Sequence, residues 1–244
     1  MKATRSAWWR LFSLQGSWNY DRMVGVGMGF AAKPLLEDLR RESPERHAEA
    51  VARSAEFFNS HPYLAGLALG AVTRAEYDQV PGDQILRLRN ALCSPLGALG
   101  DQLFWAGLLP AAIGAALAAV ALGAGWPVVL LAVVLFTVVR CYVSDWALRR
   151  GLETGMGVGR AIKDSRLRRA ITLAGIGASL LVGVAIPLVA TRLAVGLATP
   201  HIALMLLVAV AGLVLGKLAG TRYSSPRFAL AALAVVLLAR WIAT

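Results

Sequence analysis

Two apolar segments, Leu103–Gly123 and Ala124 to about Leu148, stand back to back with only Gly125-Trp126-Pro127 as a tight turn between them. From Leu103 onward no charged residue interrupts the run until Arg140. A helix crosses a bilayer with about 20 apolar residues, so a run of this length is a membrane hairpin. The pattern recurs at Ala170–Ala190, at Leu193–Gly216 and, shorter, at Phe228–Ala243. The expected fold class is all-α: a polytopic membrane protein with interfacial and re-entrant N-terminal helices followed by about five transmembrane helices. Two regions follow, residues 1–102 and the transmembrane region 103–244.

Charge divides the same way. Residues 1–101 hold 12 Lys/Arg against 11 Asp/Glu, whereas residues 102–244 hold 13 against 3. A basic surplus confined to the apolar part is the mark of loops between spans, and it gives no reason to expect a nucleic-acid partner. Seven of these basic residues (Arg149, Arg150, Arg160, Lys163, Arg166, Arg168 and Arg169) fall in the link 149–169, and three more in the link 217–227. The positive-inside bias therefore expects a multi-pass protein of the inner (plasma) membrane, with its N-terminal region cytoplasmic and its C-terminus outside. Lys2, Arg5 and Arg10 are not followed by an uninterrupted apolar core or a small-residue cleavage site, so no cleaved signal peptide is expected. Cys93 and Cys141 lie far apart with no CxxC or Cys/His cluster; free thiols are expected, with no metal site and no cofactor.

Within the first region, residues 7–20 crowd Trp8, Trp9, Phe12, Trp18 and Tyr20 among polar groups, which suits an interfacial helix ending in a Gly16 turn. Ser43-Pro44-Glu45 starts a helix expected to run to about Phe58, with Glu49 and Arg53 paired. Tyr63 to Val72 is apolar but too short to cross, so a re-entrant or interfacial piece is expected there. Pro81-Gly82-Asp83 opens a short helix to about Leu92.

Three polar stretches carry the chemistry: Leu14–Arg22 (LQGSWNYDR), Glu56–Tyr63 (EFFNSHPY) and Ser94–Trp105 (SPLGALGDQLFW). The second and third each set a carboxylate, an amide and aromatic rings beside a Pro/Gly break that borders an apolar segment. Carboxylate and amide oxygens can hold sugar hydroxyls, and rings can cover a sugar's C–H face. Asp101 and Trp105, four apart, share a helical face. An ionisable group at the mouth of a span is costly unless it is paired or functional.

In order and spacing these stretches resemble the IID subunit of the mannose/fructose/sorbose-type sugar phosphotransferase system. QGSWNYDRM resembles that family's signature near its start, EFFNSHPY its EFFNT-x-P stretch, and SPLGALGDQLFW its GPLAGIGD-x-x-FW stretch. Leu135–Arg140 resembles its LFN-x-x-R more weakly. Ser94 stands where the family usually has Gly, and Gly97-Ala98 where it has Ala-Gly. The resemblance implies a membrane subunit that forms a translocation path with a IIC subunit. Cytoplasmic IIA/IIB phosphocarriers would phosphorylate a hexose-type sugar as it enters, and the chain itself would be neither an enzyme nor a phosphoryl carrier. It also implies substrate-binding roles for Glu56, Asn59, His61, Asp101 and Trp105. Supporting roles fall to Gln15, Gly16, Trp18, Asn19, Arg22, Phe58, Pro62, Pro95, Gly100 and Arg140. A regulatory or sensory component without sugar flux is the alternative. A lipid-headgroup transferase would need clustered metal-binding carboxylates, and Asp145, Glu153 and Asp164 are the only acids after residue 102.

Overall fold

Glycines decide how closely these helices approach. The computed structural model describes residues 2–194, and among them the secondary structure is helical apart from isolated backbone bridges. The helices are α1 (Lys2–Leu11), α2 (Gly25–Glu42), α3 (Pro44–Ser54), α4 (Ala65–Tyr77), α5 (Gly82–Gly100), α6 (Leu109–Ala121), α7 (Pro127–Thr154), α8 (Gly159–Ile162) and α9 (Ser165–Ala194). A π-helical segment, Asp101–Leu108, joins α5 to α6.

The short apolar piece is α4, and it is the centre of the first region: Leu64 through Ala71 are buried without exception. An interfacial helix would show one polar face; this one is apolar all round because protein covers every side. Its Gly66 and Gly70 lie against α7. A Cβ on Gly70 would overlap the Leu148 carbonyl oxygen, and one on Gly151 would overlap the Leu67 carbonyl oxygen. The two backbones therefore touch, which only small residues permit. At the rim of α4, the buried Glu76 carboxylate takes two Arg53 nitrogens, each at 2.9 Å, and Arg46 at 3.1 Å. Burial of that carboxylate is offset because both oxygens are engaged by fixed cations, and its hydrogen bond is the main reason Arg53 is held above the usual arginine range.

Helix α3 starts as expected, with Pro44 in its first turn, and Arg53 meets Glu49 at 3.0 Å. It stops at Ser54, four residues short of Phe58, because the chain there turns to pair with residues 22–24. Helix α2 has no counterpart among the expected elements.

The largest difference lies at Pro95. Instead of a break before the first span, α5, the π segment and α6 form one continuous helix, Gly82–Ala121. Proline removes one ladder hydrogen bond, which the packed neighbours of a membrane helix tolerate. The hairpin turn follows at Gly123, whose φ of 101° serves a Schellman closure with Ala124 N–H donating to Ala119 and Gly123 N–H to Val120. Helix α7 runs into the basic link as far as Thr154, so that link is largely helical.

Among the described residues, three helices are long and apolar enough to cross a membrane: Gly82–Ala121, Pro127–Gly157 and Gly159–Arg192. Their outward faces carry Leu117, Leu130, Leu135, Val138, Leu180 and Ile186, each roughly half exposed or more. Such a band is unfavourable in water and suits lipid. The expected spans 193–216 and 228–243 lie almost wholly outside the described residues.

Candidate functional site

The first polar stretch builds a clamp. Leu14–Ser17 forms a single 3-10 turn in which Gln15 accepts the Trp18 N–H, and Gly16 sits in open space. Trp18 and Tyr20 meet edge to face on the exposed surface. Asn19 shapes the next turn, its Oδ1 accepting the backbone N–H of Asp21 at 3.1 Å and Arg22 at 2.8 Å. The chain then lies along the second stretch: Phe58 N–H donates to Arg22 O, and Val24 N–H to Phe58 O. Phe58 is fully buried, and the buried Arg89 guanidinium stands 5.0 Å from its ring centre while donating to the Glu56 carbonyl at 2.7 Å. The main chain of residues 56–58 is thus held from both sides.

That fixed loop forms one wall of a pocket of about 650 Å3, and the helix through Pro95 forms the other. Asn59, His61, Pro62, Asp101 and Trp105 all line it. The second and third stretches are therefore one site, although they are about forty residues apart in sequence. Pro95 turns to a neighbouring cavity, and the Glu56 side chain is exposed and does not line the pocket.

His61 is the anchor. It is 3% exposed, stacks on Phe104 at 5.1 Å, and packs against Gly100, where a Cβ would collide with its Cβ and Cγ. Its Nδ1 accepts the Tyr63 N–H at 3.3 Å, which assigns the proton to Nε2. Nε2 is buried with no partner, and so is Ser60 Oγ beside it. Burial lowers the His61 pKa to about 4, with Asp101 pulling it partly back up, so the imidazole is neutral at ordinary pH. The exposed Asp101 carboxylate and Asn59 amide line the pocket with Ser60 and His61, and such a set of polar groups suits a ligand with several hydroxyls. Trp105, 44% exposed, offers a ring face.

Arg140 stands behind this wall. It donates to the Tyr63 hydroxyl at 3.3 Å, and Tyr63 packs on Phe104, which in turn meets Phe136. Leu135–Arg140 thereby supports the second and third stretches. Sequence reasoning missed Phe57, Ser60, Cys93, Ser94, Gly97 and Ala98 as lining residues and Arg89 as a support. Ser60 lies inside the quoted stretch, between two residues that were chosen. Among the described residues no three His, Cys, Asp or Glu side chains gather as a metal site would require.

Over residues 1–202 the chain matches the model of the phosphotransferase-system mannose/fructose/sorbose family IID component. The mannose-specific EIID component of Escherichia coli strain K12 is 29% identical over 194 residues, covering 73% of this chain and 68% of that protein. The fructose permease IID component of Bacillus subtilis strain 168 is 27% identical over 195 residues, covering 74% and 70%. Among solved structures, the complex of mannose transporter ManYZ with microcin E492 (MceA) contains a chain that superposes with a TM-score of 0.58 at 27% identity, covering 75% of this chain and 68% of that one. The chain belongs to the mannose/fructose/sorbose family of phosphotransferase-system IID components.

Proposed function

We propose that this IID component forms a sugar path with a IIC membrane subunit, and that IIA/IIB phosphocarriers phosphorylate a hexose-type sugar as it enters. The observation that carries the reading is a pocket in which the Asp101 carboxylate, the Asn59 amide and the Trp105 ring meet Ser60 and His61, whose Oγ and Nε2 are buried without a partner. Donors alone would suit an anion. Donors and acceptors together, under an indole face, suit a neutral polyol. The similarity to mannose-specific and fructose components points to the same ligand class. Phosphoryl transfer stays with the partners: His61 is buried and neutral, a binding group rather than an exposed phospho-acceptor, and the chain is no enzyme by itself.

The test is phosphoenolpyruvate-dependent uptake of labelled sugars by the chain beside its IIC partner. Asn59→Ala, Asp101→Asn and Ser60→Ala should insert and copurify with IIC, yet lose uptake. An unpaired buried polar partner costs about 1–3 kcal/mol, a loss of roughly 5- to 150-fold. Normal uptake by all three would remove the site. A second reading, regulation without flux, has one observation in its favour: Ser94, Gly97 and Ala98, where this chain departs from its family's usual pattern, all lie on the pocket wall. Sugar that shields Cys93 from alkylation in a chain that supports no uptake would favour it.

A further inference from the structure

A cleft of about 540 Å3 lies between α1 and the charged end of α7, lined by Lys2, Thr4, Arg5, Trp8, Asp145 and Arg149. It is separate from the sugar pocket and shares no residue with it. Asp145 is already engaged by Arg149 Nε at 2.7 Å. Lys2 and Arg5 are exposed, and among the described residues neither has a carboxylate partner. The Trp8 indole N–H is buried with no acceptor. Lys2, Arg5 and Arg149 against Asp145 alone leave the cleft with two positive charges in excess. Its complement is an anion rich in acceptor oxygens, such as a phosphate.

Depth selects the source of that phosphate. Asp145 and Arg149 stand 18 and 22 positions beyond Pro127, where α7 begins. At about 1.5 Å per residue this is roughly 27–33 Å along the axis, against a hydrocarbon core of about 30 Å. The cleft is thus level with the headgroup layer of one leaflet. Trp8 and Trp9, with ring centres 4.6 Å apart, and Phe12, 5.2 Å from Trp8, form an aromatic belt of the kind found at that level. A basic pocket beside a spanning helix at headgroup depth suits anionic lipid.

We propose that the α1–α7 cleft binds the phosphate of an anionic phospholipid headgroup, with Lys2 and Arg5 as charge partners and Trp8 as a neutral donor. The site would hold α1 against α7 and fix the interfacial helix in register with the spans. The test uses membranes holding the full chain, doped with phosphatidylglycerol that carries a photoactivatable group near its headgroup, or with the matching phosphatidylcholine. Irradiation should label peptides containing residues 2–10 with the anionic probe and not with the zwitterionic one. In the double variant Lys2→Gln, Arg5→Gln the half-saturating lipid fraction should rise roughly 30-fold, since each basic residue at the surface contributes about a factor of five. Both positions are exposed, so the variant should insert normally, and Lys2→Arg with Arg5→Lys should retain labelling. Equal labelling by the zwitterionic probe, or an unchanged double variant, would overturn the proposal. Displacement of the probe by millimolar inorganic phosphate would mark a site for soluble phosphate and overturn it too.

Discussion

A methyl group on Gly100 has nowhere to go but into the His61 ring, and that ring is stacked on Phe104. The neutral state of His61 follows from the same enclosure and has a measurable consequence. An unfolded histidine titrates near 6.5, and this one, mainly through burial, near 4. Between those values the unfolded chain binds more protons, so stability is full above about pH 6.5 and drains away as pH falls toward 4. The expected loss is on the order of 3 kcal/mol. Thermal unfolding of the wild type should therefore weaken over this window more than that of His61→Gln, which carries no titrating group. Parallel profiles would mean that the imidazole is not held neutral. Asn59, His61, Asp101 and Trp105 line one pocket; Asn59, Asp101 and Trp105 stood out in sequence because polar and aromatic groups bordering an apolar segment carry a cost that invites explanation, and His61 because it lies inside a matching stretch. Arg89 was not. It follows Asp83 and Arg87 in what reads as a solvated helix, and only the docking of Phe58 reveals it as buried. Glu56 was chosen as an acid, but it is its carbonyl oxygen that the structure uses.

At the scale of elements, the α4–α7 crossing rests on Gly66, Gly70 and Gly151, and at Gly70 and Gly151 the obstacles to a side chain are main-chain atoms rather than flexible side-chain ends. Gly70→Ala and Gly151→Ala should each destabilise the fold by about 1–3 kcal/mol, the usual effect of overpacking. Gly175→Ala, in open space on α9, should be neutral or slightly stabilising, since alanine favours helix by about 0.5–1 kcal/mol. Equal unfolding midpoints for all three would mean that the crossing is looser than described. The four-residue spacing of Gly66 and Gly70, which suits such a crossing, was not drawn from the sequence. The shortness of the apolar run argued against a span, and α4 has 13 residues. Its complete enclosure was not readable, because a helix apolar on all sides looks alike in lipid and in a protein core. Pro95 misled for a related reason: proline and glycine mark breaks in water, whereas here the helix continues through Pro95.

For the whole molecule, the arrangement of basic residues makes a directional claim. With Cys93 and Cys141 replaced, single cysteines at positions 160 and 222 should resist an impermeant thiol reagent added outside intact cells, and one at the C-terminus should react. Labelling of position 160 from outside would invert the orientation. The spans inside 2–194 were legible from apolar length alone, while their ends were not, since α7 carries its helix into charged sequence as far as Thr154. The π segment has a further consequence, for how this sequence can change over evolutionary time. An ordinary helix turns about 100° per residue, so losing one residue almost anywhere in Gly82–Ala121 would swing everything beyond it to a new bearing. Asp101–Leu108 is the exception, because its wider turns hold an extra residue in reserve. A deletion there closes as regular α-helix and leaves α6 facing α7 and α9 much as before. The pocket wall can therefore be re-cut in length, and not only in side chains, without disturbing the membrane hairpin behind it.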